Sequence, residues 1–555
     1  MRIPLVLAHA LLALCSSPDR DRNSAPDQPK DVRYIKSPNG AGIRYKENGL
    51  CETTPGVKSY SGYIDVNPGV HMFFWFFESR SDPAHDPVTL WQNGGPGADS
   101  LIGLFEELGP CFVTNDTKTH LREWSWNKNS NLLFLSQPVG TGFSYALSKE
   151  GYQDSFGAIL ENFTNDTTEY GRFHYFDTVT HDTSTLNAPV AWECLQALYG
   201  ALPALLDDTV KSTDFIFWAE SYGGHFGPAF AKEFYEQNQK IDEQKQTRRK
   251  LNFKAFGLVN ACIDYQIQEK FLLEFTQPEN NPYGLKLIND TIYDHGKFAL
   301  ERSGGCQDNL YYCVEYQLEK APESWIRYQC SLAQFVCQNS VESLYYTFGG
   351  DHGPYDIRTC DGRDGPPSLG WRRLLNTSSV QNALGVDLNY TDKYNEDIYN
   401  AFSLSGDFGL SYLPQIEELL KYDIQIAFMY GDADYICCWT GGEAVSLNAS
   451  WEKAEEFKKA GYAKLVVDGR EYGEVRQVGK FSFTRVWESG HEVPYFQPEA
   501  AFAIYNRSAS GLDIATGTIV TNGNGNYATE GPTNSTYRRV IEKPEKCPKG
   551  GYPDW

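Results

Sequence analysis

The chain of 555 residues is short of positive charge: 49 lysines and arginines stand against 72 aspartates and glutamates, a formal charge of −23. This anionic surplus repels phosphate backbones and acidic lipid surfaces, so neither nucleic acid nor a membrane is an expected partner. Long apolar runs are missing as well. Beyond the first seventeen residues no window is apolar enough for a transmembrane helix, and the tail from Cys547 to Trp555 carries neither a retention signal nor a lipid-anchor signal. No Ser/Gly-rich or Pro-rich linker and no internal repeat interrupts the chain, which excludes a string of modules and favours one elaborated domain. With 41% apolar and 22% charged residues, disorder from low hydrophobicity is excluded too. The one basic run, Lys245 to Lys250, reads as the solvated end of a helix.

What is present points to export. Residues 1–17 carry Arg2 and then an apolar stretch from Ile3 to Cys15, the size of a signal-peptide core and too short to span a bilayer. Residues 18–45 read as an N-terminal segment with room for a short propeptide. Four cysteines at 306, 313, 330 and 337 suit nested bridges, Cys306 with Cys337 and Cys313 with Cys330, and lack the CxxC pair or histidine of a zinc site. Glycosylation acceptors stand at Asn115, Asn162, Asn165, Asn289, Asn376, Asn389, Asn448, Asn506 and Asn534. A secreted protein is expected, with delivery to a vacuole or lysosome as the alternative.

From Gly62 onward apolar runs alternate with amphipathic segments. GYIDV, HMFFWFFES, VTLWQN, NLLFLSQ, FIFWAES, FKAFGLVN, IQIAFMYGDAD, AKLVV and FSFTRVWE read as strands. Helical patterns lie at Leu101 to Leu108, Val190 to Leu206, His225 to Gln239 and Glu499 to Arg507. The alternation predicts an α/β fold with a mostly parallel sheet and helices on both faces. Residues 46–262 and 391–555 would form the two parts of that core. Residues 263–390 break the rhythm, being rich in Cys, Tyr and Gly, and read as a disulfide-rich insertion that forms a lid or pocket wall.

The sharpest local feature is Phe215 to His225, where FIFWAE runs into Ser-Tyr-Gly-Gly-His. A buried strand, a Gly-containing turn and a helix are the setting of a nucleophile elbow, with Ser221 at the apex and small residues, Ala219 and Gly223, two positions to either side. An α/β-hydrolase fold then requires an acid and a histidine after later strands, in that order. Gly431-Asp-Ala-Asp434 follows IQIAFMY, and His491 follows FSFTRVWESG. Asp434 would orient the imidazole and His491 would take the Ser221 proton. The pair His491-Glu492 is not a zinc motif, since Val-Pro-Tyr follows and Pro494 blocks the helix. His225 reads as structural. Two backbone amides complete such a site: Tyr222 after the nucleophile, and Gly95 in Trp91-Gln-Asn-Gly-Gly-Pro-Gly97 after VTLW. That loop lacks the Gly-Lys-Ser/Thr ending of a phosphate cradle.

The ordered set CETTPGVKSYSGYI, WQNGGPG with LFEELGP, SQPVGTGFSY, ESYGGH, YDIR, GDADYIC and GHEVPYFQP resembles the serine carboxypeptidases of the carboxypeptidase Y and cathepsin A type, especially fungal secreted members. The resemblance covers nearly the whole chain. It implies a cofactor-free and metal-free exopeptidase, monomer or homodimer, that acts at acid pH on peptide and protein C-termini. It makes Ser221, Asp434 and His491 the triad, and Gly95 and Tyr222 the oxyanion hole. Asn93, Glu107 and Glu220 would bind the terminal carboxylate, with Trp91 and Gly94 shaping that end of the pocket. The family's cysteine after GGPG is replaced by Ala98-Asp99, which leaves Cys360 without its usual partner and suggests Cys51 in its place. Cys437 is expected as a free thiol beside the site, sensitive to mercurials. Glu492, where relatives often carry Met, is expected to favour Lys or Arg over Asp or Glu as the released residue by about 1 kcal/mol. Other readings on the same fold are an esterase, an acyltransferase or a noncatalytic secreted scaffold.

Overall fold

Six of the apolar runs become the centre of one twelve-stranded sheet. In spatial order they are Asn131–Leu135, Val88–Gln92, Asp214–Glu220, Asn252–Val259, Gln425–Gly431 and Phe481–Val486, each parallel to its neighbour. Their residues are apolar in unbroken series because both faces are covered, so neither set of alternating side chains meets water. Phe215, Phe217 and Ala219 face one core beneath helices Ser184–Leu205 and Gly223–Asp242. Ile216 and Trp218 face a second core beneath helix Pro498–Ala509. Antiparallel strands extend the sheet at both edges, so it is mixed with a parallel centre.

The computed structural model describes residues 26–541 apart from 68, 154–158, 162–168, 176–179, 206–209, 244–247, 351, 361–369, 392–394 and 522–525. The signal segment, Asn162 and Asn165 lie outside these residues. The sheet begins earlier than the sequence suggests: Arg33–Lys36 and Gly42–Asn48 pair with each other and then with Ser59–Asn67. Residues 33–36 and 42–45 therefore pair within the sheet. Strand Arg470–Val478 carries Arg, Glu and Gln along its length, which hid it from a reading by apolar runs. Its charges find partners, Arg476 on the Phe457 and Lys458 carbonyls and Glu474 on Lys464.

The insertion is helical. Helices Tyr265–Phe275, Asp290–Glu301, Cys306–Leu318, Glu323–Cys337 and Ser343–Phe348 enclose a small core of their own. Disulfides Cys306–Cys337 and Cys313–Cys330 run through it. Two expectations about cysteine are corrected. Cys51 pairs with Cys111, whose Cα lies 5.1 Å away at the start of strand Cys111–Val113, while Cys360 is disulfide-bonded elsewhere. Cys437 is not a free thiol: it is bonded to Cys262, and the buried thiols are Cys194 and Cys438. Asn389 is likewise corrected as a glycan site, because it is 6% exposed and its Oδ1 accepts from the Arg172 amide. Asn115, Asn289, Asn448 and Asn534 are exposed, and Asn376 and Asn506 partly so.

Candidate active site

Strand Asp214–Glu220 ends at Ser221, whose φ of 62° lies in the left-handed region that serine rarely enters. The turn imposes it. Ser221 N donates to Val259 O at 3.0 Å, and Ser221 O accepts from Gly224 N at 2.9 Å and Cys262 N at 3.0 Å. Small residues are needed around it, since a Cβ on Gly223 would come within 2.8 Å of Ala219 Cβ, and one on Gly224 within 2.1 Å of Cys262 O. The side chain of Ser221 is thereby lifted to the sheet's C-terminal edge, free of any hydrogen-bond partner among the described residues.

The acid and the histidine arrive from the two strands beyond Asn252–Val259. His491 Nδ1 and Asp434 Oδ2 are 2.8 Å apart, both buried. Asp434 is held by Asn260 Nδ2 at 2.9 Å, Cys437 N at 3.2 Å and Ile436 N at 3.2 Å. Its neighbour Asp432 serves a different end: it accepts from Tyr283 Oη at 2.5 Å and pairs with Arg485 at 3.1 Å. His225 Nδ1 donates to Cys262 O, 2.8 Å away, and the ring stacks on Tyr222, which is a packing role.

Gly94 presses against the elbow so closely that an added Cβ would lie 2.3 Å from Tyr222 N and 2.9 Å from Ser221 Cβ. Gly95, with φ of 106°, turns the chain immediately beyond. The amides of Gly95 and Tyr222 donate to no described group, as amides that meet an oxyanion must.

Next to this hole lies a buried polar cage. Trp91 Nε1 donates to Asn93 Oδ1 at 2.7 Å, Gly103 N does so at 2.9 Å, and these fix the Asn93 amide. Asn93 Nδ2 then donates to Glu107 Oε1 at 3.2 Å and Glu220 Oε1 at 3.1 Å. The second oxygen of each carboxyl is buried without a hydrogen-bond partner among the described residues. Burial pushes both carboxyl pKa values up, and the Glu107 charge pushes Glu220 further. Glu107 is delivered by the π-helical turn Gly103–Leu108.

That turn also delivers Glu106, which the sequence reading passed over because FEEL looks like one acid too many on a helix. Glu106 Oε1 accepts from Trp371 Nε1 at 2.8 Å, and burial pushes its pKa up to about 7. Glu492, adjacent to His491, is raised well above the usual range by burial and then by Glu106 and Glu107, while Arg372 and Arg122 pull it back. Asn260, Trp371, Arg122 and Arg372 were likewise not singled out. Only Asn260 had a usable signal, its place at the end of the strand between those of Ser221 and Asp434.

The sequence profile of the serine carboxypeptidases matches residues 49–511. The chain belongs to the serine carboxypeptidase family. It is therefore a hydrolase of the exopeptidase class, on an α/β-hydrolase fold. Carboxypeptidase S1 homolog B of Arthroderma otae is 35% identical to this carboxypeptidase over 95% of the chain and 85% of its own length. Carboxypeptidase Y homolog of Arthroderma benhamiae is 36% identical over 92% and 85%. Among solved structures, a prohormone-processing carboxypeptidase from Saccharomyces cerevisiae superposes with a TM-score of 0.62 at 22% identity, covering 83% of this chain and 94% of that one. Among the described residues no helix is long and apolar enough to cross a membrane.

Proposed function

We propose that this carboxypeptidase recognises its substrate by the free terminal carboxylate, through a proton shared by Glu107 and Glu220, and cleaves it through an acyl-enzyme on Ser221. The observation that carries the reading is the Asn93 amide bridging two buried carboxyls beside the elbow. Two ionised carboxylates there would repel a third, whereas a protonated pair donates to it alongside Asn93. With the terminus held, the last peptide bond lies over Ser221. Ser221 Oγ attacks its carbonyl carbon as His491 takes the proton, and Asp434 holds the imidazole with its other nitrogen facing the serine. The oxyanion is met by the Gly95 and Tyr222 amides, and His491 returns the proton to the departing amine. Water then repeats the sequence on the ester. Glu492 and Glu106, offset by Arg122 and Arg372, would border the leaving residue. The four disulfides among the described residues support delivery through an oxidising compartment, to the exterior or a vacuole.

The test compares a free-acid peptide with its C-terminal amide across pH. KM for the free acid is expected to rise with pH as the pair loses its proton, while His491 must be uncharged to act, so kcat/KM for the acid peaks in mildly acid solution. The amide keeps its activity further into the alkaline range. Glu220→Gln should move the alkaline limb of the free-acid profile and leave that of the amide in place. Identical profiles for the two substrates would make a general esterase the better description.

A further inference from the structure

Behind the nucleophile turn lies a buried carboxylate that the catalytic steps above do not use. Asp407 is 0% exposed and stands 185 residues along the chain from Tyr222, the residue after Ser221. It accepts from four donors. Tyr222 Oη at 2.6 Å and Ser184 Oγ at 2.7 Å meet its Oδ2, and Tyr412 Oη at 2.7 Å and Ser184 N at 3.1 Å meet its Oδ1. Among the described residues it forms no ion pair. These donors and the positive end of helix Ser184–Leu205, which opens at Ser184, take the place of a cation. Burial, followed by the charge of Asp407, pushes the Tyr222 and Tyr412 hydroxyls well above the usual tyrosine range, so both stay protonated and donate.

One arm of this network reaches the elbow. The Tyr222 ring stacks on His225 with centroids 4.4 Å apart and lies 4.7 Å from Phe408, so ring and hydroxyl are held together. The Tyr222 carbonyl accepts from His225 N at 2.9 Å and Phe226 N at 3.2 Å, which leaves its amide as the unpaired end of the residue. Just before it, the left-handed backbone of Ser221 persists only because its surroundings over-determine it. The other arm reaches the insertion. Asp407 opens the turn Asp407–Gly409, which is wedged against helix Glu323–Cys337: a Cβ on Gly406 would lie 2.8 Å from Arg327 O, and one on Gly409 2.8 Å from Cys330 O. Cys330 is bonded to Cys313 on the neighbouring insertion helix, and Arg327 pairs at 2.8 Å with Asp182, two residues before Ser184. The same insertion helix therefore braces both Asp407 and the segment leading to Ser184.

We infer that Asp407 is a positioning residue for the reaction: through the Tyr222 hydroxyl it holds the Tyr222 amide in the aim that an oxyanion needs, and it ties that aim to the disulfide-braced insertion. This rests on the oxyanion reading above. A carboxylate alone accepts all four donors. An asparagine of the same shape replaces one oxygen with an N–H group that faces two of them.

The experiment compares an N-blocked Phe-Ala dipeptide with its counterpart carrying sulfur in place of the scissile carbonyl oxygen. Wild-type kcat is expected to favour oxygen by at least about a hundredfold, because the larger, weaker acceptor fits two aimed amides poorly. Asp407→Asn and Tyr222→Phe should each lower kcat on the oxygen peptide by about tenfold, with KM within about twofold and the slow sulfur rate little changed, so the oxygen-to-sulfur ratio falls by about the same factor. The double variant should lose no more than the worse single one, since both cut one link. Tyr412→Phe removes an equal bond from Asp407 on the arm away from the elbow, and should lower the melting temperature while keeping the ratio within about twofold. Tyr222→Phe leaves Asp407 three donors and decides the matter should Asp407→Asn fail to fold. A ratio unmoved in Tyr222→Phe, or lowered as much in Tyr412→Phe, overturns the inference while the oxyanion reading stands. A wild type without oxygen preference overturns that reading and the inference with it.

Discussion

Ser221 holds a left-handed backbone because three hydrogen bonds and two small neighbours leave no alternative, so the turn does not depend on its side chain. Ser221→Ala is therefore expected to fold normally by circular dichroism while turnover falls by on the order of 10⁴ to 10⁶. A second expectation follows from the thiols. Cys438 is buried and its pKa is pushed up to about 12, first by burial, and Cys194 is raised further still. Both are poor nucleophiles in the native state. Mercurials and alkylating agents should leave the native enzyme active, and mass spectrometry should find these two cysteines labelled after unfolding; rapid native inactivation traced to Cys438 would contradict the assignment.

At the scale of elements, the segment after Gln425–Gly431 does two jobs with aspartates two residues apart: Asp434 meets the imidazole and Asp432 locks the sheet edge. Asp432 and Arg485 are 0% and 1% exposed, and Asp432 also accepts from the Tyr283 hydroxyl and the Glu488 amide. Arg485 in turn lies over the Trp439 ring at 4.1 Å. Asp432→Ala would strand a buried guanidinium and two donors, at a cost of roughly 3–5 kcal/mol. Denaturant titration of the purified variant checks this, and a loss below about 1 kcal/mol would show that the pair is not the anchor described. The loops that carry Asp434 and His491 hang from this anchor, so kcat should fall along with stability.

For the whole molecule, the unusual feature is how many acids are buried with raised pKa values. Burial lifts Asp99 to about 6 and Glu106 and Glu342 to about 7, and lifts Glu107, Glu220, Glu269 and Glu492 as well. A carboxyl whose pKa is higher folded than unfolded stabilises the fold while protonated. That contribution is complete below the ordinary carboxylate range and is lost as pH rises through about 6 to 7. Ionisation of the surface, with its net charge of −23, adds repulsion in the same direction. Thermal melts should therefore show higher stability near pH 5 than near pH 8, by a few kcal/mol. Glu342→Gln, which removes one such group, should flatten the decline. A melting temperature that climbs from acid to alkaline pH would refute this account.

The sequence by itself determined the parallel centre of the sheet and the candidate site at its edge. Strand runs that are apolar throughout demand a sheet covered on both faces, and a nucleophile, an acid and a base placed after three such strands must meet at one edge, because parallel strands end together. Small residues around Ser221 and in Asn93-Gly94-Gly95 were legible for the same reason, since backbone approach leaves no room for a Cβ. The nested pairs Cys306–Cys337 and Cys313–Cys330 were legible in their spacing, but only the tertiary structure decided the partners of Cys51 and Cys437, because Cys111 reaches Cys51 and Cys262 reaches Cys437 across 60 and 175 residues of chain. It also decided which acids are buried. Glu106 and Glu269 look in sequence like any surface glutamate on a helix. Their pKa values depend on what lies within a few ångströms from distant segments, and a side chain's hydration is a property of the packed chain.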